Sequence, residues 1–142
     1  MFAIIVPPGV DIQANIAEAR QVARECEEKA LKIAYAYRDM PGMVSEQGLA
    51  QGFKCSWIYD NFKAGARYDF KRDGHPEYED FGNYHYGLYT HAMGINATFA
   101  QIAAGAAQVK AGTYRLRDLP TFLDDRRDNE KIREGQRFPL DW

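Results

Sequence analysis

Apolar residues recur early in the chain at Ile12, Ile16, Ala19, Ala23, Cys26, Ala30, Ile33 and Tyr37, in alternating steps of four and three. Steps of that size return side chains to one face of an α-helix. Asp11 stands ahead of the run as a capping residue, and Pro41-Gly42 stops it, so the pattern predicts a helix over 12–40. Glu25, Glu27, Glu28, Lys29 and Lys32 fall off the stripe as its solvated side. A shorter repeat of the pattern, Leu49, Phe53, Trp57 and Phe62, predicts a second helix over 49–64 with Gly65 as its stop. A third is expected over 97–111, capped by Asn96 and rich in alanine, and a short charged fourth over about 122–135, ending at Gly135. Between the second and third lies 68–89, interrupted by Gly74, Pro76, Gly82 and Gly87. There the expectation is short strands and loops.

The sum is a mainly α domain of three to four helices, with α+β as the alternative and an irregular aromatic, acidic segment at 68–89. A length of 142 residues suits one domain over 1–142, and 46% hydrophobic against 27% charged residues suits a packed core. The net charge of −2 is spread along the chain, with no basic stripe of the kind that tracks a phosphate backbone. Two cysteines, Cys26 and Cys55, are too few for a disulfide scaffold; two buried thiols are the favoured reading, with one bridge as the alternative. The apolar run from Phe2 to Val6 is too short for a signal peptide or a membrane span, and the expectation is a chain without either.

The segment 68–89 changes this bland picture. It holds seven of the nineteen aromatic residues, two of the three histidines and a net charge of −3. Glu77, Glu79 and Asp80 place three carboxylates within four residues, and crowding raises the pKa of at least one such group when they are desolvated. Asn83 supplies a donor and an acceptor, and His85 a group that titrates near neutrality. Asp69, Lys71, Tyr78, Tyr84 and Tyr86 add binding groups, and Asp125 or Asp128 is a candidate to fold back and orient them. This inventory suits acid–base hydrolysis of a polar substrate. The equally weighted plain reading is a solvated turn with packed aromatics. Two serines, Ser45 and Ser56, leave little room for serine catalysis, and the spacing of His75, His85 and His91 matches no metal-ligand pattern. No cofactor is expected, with a divalent metal reserved for a nuclease reading.

Several stretches together resemble the polymorphic toxin type 44 domain, also called bacterial toxin 44. They are Val6 to Ile16, the Trp57 helix, Tyr68-Asp69-Phe70-Lys71, Tyr78 to Gly87, and Asp125, Asp128, Ile132 and Gly135. The run Phe81-Gly82-Asn83-Tyr84-His85-Tyr86-Gly87 is the most specific of them. Members often carry Asn at the position of His85, which moves the emphasis to Glu79, Asp80 and Asn83, and Trp at that of Tyr68, which leaves the role of Asp69 and Lys71 open. The resemblance implies an antibacterial effector, delivered by a carrier of the Rhs or PAAR type and neutralised by a cognate immunity protein. It leaves three readings. The favoured one is a lysozyme-like peptidoglycan hydrolase acting in the target periplasm, with Glu79 or Asp80 as general acid. The second is a nuclease acting in the target cytoplasm on DNA or RNA, with Lys71 and Arg72 holding phosphate. The third is a non-enzymatic binding domain.

Overall fold

The structure is a computed structural model, which describes residues 4–40, 42, 45–72, 74–98, 100 and 126–140. Helix α1 spans Ile12–Ala36, and the Asp11 carboxylate accepts from the Ala14 amide at 3.0 Å to start it. Ile16, Ala19, Val22, Ala23, Cys26 and Ala30 are its buried face. The helix ends four residues before the expected Met40. Beyond Ala30 the stripe has little to pack on: Tyr37 is 50% exposed, and the backbone closes in tight turns from Arg38 to Tyr35 and from Met40 to Tyr37.

Helix α2, Glu46–Phe62, starts three residues earlier than its apolar pattern because Ser45 caps it, accepting from the Gly48 amide at 3.2 Å. Phe53, Trp57 and Phe62 pack against the core while Ala50, Lys54 and Ile58 are buried outright. The buried Lys54 ammonium donates to Glu27 on α1 at 2.9 Å, so this cation is paired where it enters the interior. Cys26 and Cys55 are free thiols, and burial raises the pKa of both.

The largest departure from the sequence pattern lies in the second half of 68–89. A 3₁₀ turn at Pro76–Tyr78 leads directly into helix α3, Glu79–Ala92. Pro76 begins this element instead of breaking it, since its ring pre-sets the first helical φ and its missing N–H has no helical acceptor to lose. Glu79 and Asp80 occupy the first turn, where carboxylates complement the helix dipole. Phe81, His85, Leu88, Tyr89 and Ala92 fall on one buried face at helical spacing. Among the described residues there is no strand.

Helix α4, Arg126–Gln136, packs along α3. Gly135 lies inside it and does not terminate it. The reason is contact: a Cβ on Gly135 would sit 2.0 Å from the Tyr84 carbonyl oxygen, and one on Gly87 would sit 1.9 Å from that of Ile132. Each helix presents a glycine to the other's backbone. The expected helix at 97–111 falls largely outside the described residues, with 97, 98 and 100 helical. Phe122, Leu123 and Asp125 also lie outside them. The chain thus forms a mainly helical domain whose core joins α1, α2 and α3, with Phe138 and Leu140 packed on it after α4.

Candidate functional site

The Glu18 carboxylate, on α1, is the hub of a polar cluster. Its Oε1 accepts from the Tyr68 hydroxyl at 2.7 Å and from the Tyr89 hydroxyl at 2.8 Å. Arg67 Nη2 donates to both of its oxygens at 2.5 Å and also contacts the Tyr68 hydroxyl. Burial works to raise the Glu18 pKa, but the donors from Arg67, Tyr68 and Tyr89 outweigh it and hold the group below its usual value. The converse holds for the phenols: burial and then the Glu18 bond push Tyr68 up to about 12 and raise Tyr89 as well. The Arg67 guanidinium lies 4.4 Å from the Tyr68 ring centroid and 5.9 Å from that of Trp57, and Trp57 stacks on Tyr89 at 5.1 Å.

His85 sits beneath this cluster and is fully buried. Its ring lies 4.7 Å from that of Tyr68, 5.3 Å from Phe70, and 5.6 Å from both Phe62 and Phe81. Asn15 Nδ2 donates to Nε2 at 3.0 Å, which leaves the ring proton on Nδ1, an atom without a hydrogen-bond partner among the described residues. Desolvation lowers its pKa to about 4. An unfolded chain protonates this residue near 6.5. Between those values the unfolded state binds the extra proton, so the stability that neutral His85 contributes is complete above about pH 6.5. It is lost as the pH falls toward 4, by roughly 3 kcal/mol in all. Urea denaturation at pH 7 and pH 4.5 should show that loss, and His85→Asn should flatten it. An equally steep profile in the variant would trace the acid sensitivity to other groups, Glu18 first.

An open cleft of about 420 Å³ runs past the outer side of the cluster. Pro7, Pro8 and Val10 form one wall. Asp69 and Phe70, with the two arginines Arg67 and Arg72, form another, and His75 and Tyr78 close it. Local bonds set these groups. Gly65 takes a left-handed φ of +80°, and its amide donates to Asp69 Oδ2 at 2.9 Å. Arg72 Nη1 donates to the Gly65 and Ala66 carbonyls at 3.1 and 3.2 Å. His75 Nδ1 meets Glu77 Oε1 at 2.9 Å, and its ring stacks on Tyr78 at 5.3 Å.

The candidate residues from the sequence therefore divide. Asp69 and Tyr78 line the cleft, and Glu77 reaches it through His75. The His75 bond holds the Glu77 carboxyl below its usual pKa, which keeps it ionised and unlike a proton-donating acid. Glu79 is exposed and Asp80 half-buried, directly following Tyr78. Asn83 Nδ2 donates to the Glu79 carbonyl at 3.2 Å, a bond within α3. Lys71 is exposed. His85, Tyr84 and Tyr86 turn elsewhere: Tyr86 donates to the Ala100 carbonyl at 2.5 Å, and the Tyr84 backbone meets Gly135. Burial, and then the charge of Glu134, raises the Tyr84 pKa. Asp128 is half-buried in the first turn of α4, which does fold back along α3. Among the described residues, no three His, Cys, Asp or Glu side chains stand close enough to hold a metal ion.

Glu18, Arg67 and His75 were missed as site residues. A signal for Glu18 existed: Asn15 and Glu18 sit one turn apart on the edge of the α1 stripe, where polar side chains face the interior obliquely. No such signal marks Arg67, whereas His75 lies in the segment 68–89 that the sequence already sets apart. No family model, no curated protein and no solved structure matches this chain.

Proposed function

We propose that this chain is an antibacterial effector domain of the toxin 44 type that hydrolyses peptidoglycan in the periplasm of a target cell. One observation carries the reading. The three separated stretches 6–16, 68–71 and 78–87, which bear the resemblance, meet at one cleft through Pro7, Pro8 and Val10, through Asp69 and Phe70, and through Tyr78. A cleft that sets a few polar groups beside apolar faces is the usual form of a ligand site. Pro7, Pro8, Phe70 and Tyr78 offer flat apolar faces suited to sugar rings. Glu18 pairs with Arg67, and the Asp69 carboxylate lies in the same cleft as Arg67 and Arg72, which opposes a polyphosphate and favours an uncharged glycan.

Glycoside hydrolysis needs one carboxylic acid to protonate the leaving oxygen and a second carboxylate to act as base or nucleophile. Glu79 or Asp80 is the proposed acid, and Asp69 the second group. A carrier of the Rhs or PAAR type would deliver the domain, and a cognate immunity protein would block it. The test is expression with and without an export signal. Killing only on export, with rounded or lysing cells, supports wall hydrolysis. Glu79→Gln and Asp80→Asn should leave the fold intact, and the variant that removes the acid should lose roughly 10²-fold or more of the hydrolysis rate. Full activity in both overturns the assignment of the acid.

The nuclease alternative rests on a specific pair. The His75–Glu77 contact at 2.9 Å, beside Arg67 and Arg72, is the arrangement of a base oriented by a carboxylate next to phosphate-binding groups. Toxicity confined to the cytoplasm, with degraded DNA or RNA, would select it.

A further inference from the structure

We infer that His75 is the general base of the cleft, the residue that takes the proton of the attacking water, with Glu77 as the carboxylate that positions it. This rests on the reading of the cleft as the glycan groove and adds the group that activates the water. His75 lines the cleft and is held at its backbone, its ring face and Nδ1. Its amide donates to the Lys71 carbonyl at 3.3 Å, and its carbonyl accepts from the Tyr78 amide at 3.1 Å. The ring stacks on Tyr78 at 5.3 Å, with 28° between the planes, and Nδ1 meets Glu77 Oε1 at 2.9 Å. That contact keeps the Glu77 carboxyl below its usual pKa and so ionised. An ionised carboxylate only accepts, so the shared proton is on Nδ1 and the lone pair of the neutral ring is on Nε2. Nε2 makes no hydrogen bond to any described residue, and the side chain is 52% exposed.

An imidazole fixed by a carboxylate at one nitrogen and free at the other is the arrangement that general-base catalysis uses to take a proton from a nucleophile. In glycan hydrolysis the water oxygen bonds to the anomeric carbon while its proton passes to Nε2. The glycosidic C–O bond breaks, and Glu79 or Asp80 gives its proton to the leaving oxygen. The imidazolium then returns its proton through solvent to that carboxylate, so the sum is one water added across the bond. Asp69, whose Oδ2 is already engaged by the Gly65 amide, acts through its charge on the positive sugar. One short stretch, 75–80, thereby supplies the base, its orienting carboxylate and the acid.

The test measures release of reducing ends from soluble peptidoglycan strands by the full chain, with rates followed against pH. His75→Gln should lower kcat roughly 10²-fold or more, with KM little changed and circular dichroism unaltered. His75→Ala should regain rate when free imidazole is added, which a merely structural histidine would not allow. Glu77→Gln keeps an acceptor for Nδ1 and removes the charge. It should lose less of kcat and displace the acidic limb of the pH profile, a limb that His75→Gln should lack. A loss confined to KM, or one that imidazole does not restore and pH does not track, overturns the base. Glycan hydrolysis at the unmodified rate in His75→Gln overturns this assignment alone and leaves the proposed function standing. Cleavage of DNA or RNA in place of glycan, dependent on His75 in the same way, overturns the glycan reading and leaves the base standing. Turnover of neither polymer overturns both.

Discussion

Replacing Gly87 or Gly135 by alanine is expected to cost about 3 kcal/mol or more and to pull α3 and α4 apart. The added methyl carbon would lie 1.9 Å from the Ile132 carbonyl oxygen in the first case, and 2.0 Å from the Tyr84 oxygen and 2.6 Å from the Leu88 nitrogen in the second. Those obstacles are backbone, which cannot swing aside as the end of a side chain can. Relief therefore requires moving a whole helix, and Ile132 and Leu88, each about 1% exposed, would lose their packing with it. The control is Gly82→Ala in the same helix. No described residue lies within 4 Å of that position, so alanine there should stabilise by roughly 0.5–1 kcal/mol through helix propensity. Urea denaturation of the three variants decides the matter. Similar midpoints for Gly82→Ala and Gly87→Ala would show that the helices do not meet at Gly87.

Loss of the Glu18 carboxylate is the second large effect. In Glu18→Ala the hydroxyls of Tyr68 and Tyr89 lose their acceptor while remaining buried, and each such group costs about 1–3 kcal/mol. The ion pair with Arg67 adds little, because both partners are substantially exposed, 51% for Arg67 and 32% for Glu18, and water screens them. The expected total is about 3 kcal/mol. Glu18→Gln should cost only about 1 kcal/mol, since one amide oxygen can still accept from both tyrosines, which share Oε1. Tyr89→Phe should then be less damaging in the Glu18→Ala background than alone, because the orphaned hydroxyl disappears with it. Purely additive costs in that cycle would mean that the hydroxyl and the carboxylate do not cooperate.

Much of the fold was readable from the spacing of apolar residues alone. The α1 stripe and the position of α2 follow from it, and so does the existence of a charged helix near the C-terminal end. These are local matters: a stripe at helical period must be buried, and capping residues such as Asp11 and Ser45 act within a single turn. In the sequence, Gly82 and Gly87 make the stretch 79–89 look irregular, and Glu79 and Asp80 fit a solvated turn. Phe81, His85, Leu88 and Tyr89 already carried a helical stripe. Gly87 is there to admit α4, and no propensity scale contains that reason.

The candidate site was readable only in part, for the same cause. Asp69 and Tyr78 belong to short motifs whose chemistry can be seen one residue at a time. His85 could be recognised as a titratable group, but its place inside a cage of Tyr68, Phe70, Phe62 and Phe81 is set by three segments that meet only in the folded chain. Burial there turns a candidate proton carrier into a neutral core residue. The sequence by itself determined which segments become helices and which faces they bury, because periodicity and capping are properties of neighbours along the chain. Tertiary structure alone decided that Glu18 gathers Arg67, Tyr68 and Tyr89, and that Pro7, Asp69 and Tyr78 share one cleft. Those meetings depend on how close two backbones come, and here glycine at Gly87 and Gly135 sets that distance for α3 and α4.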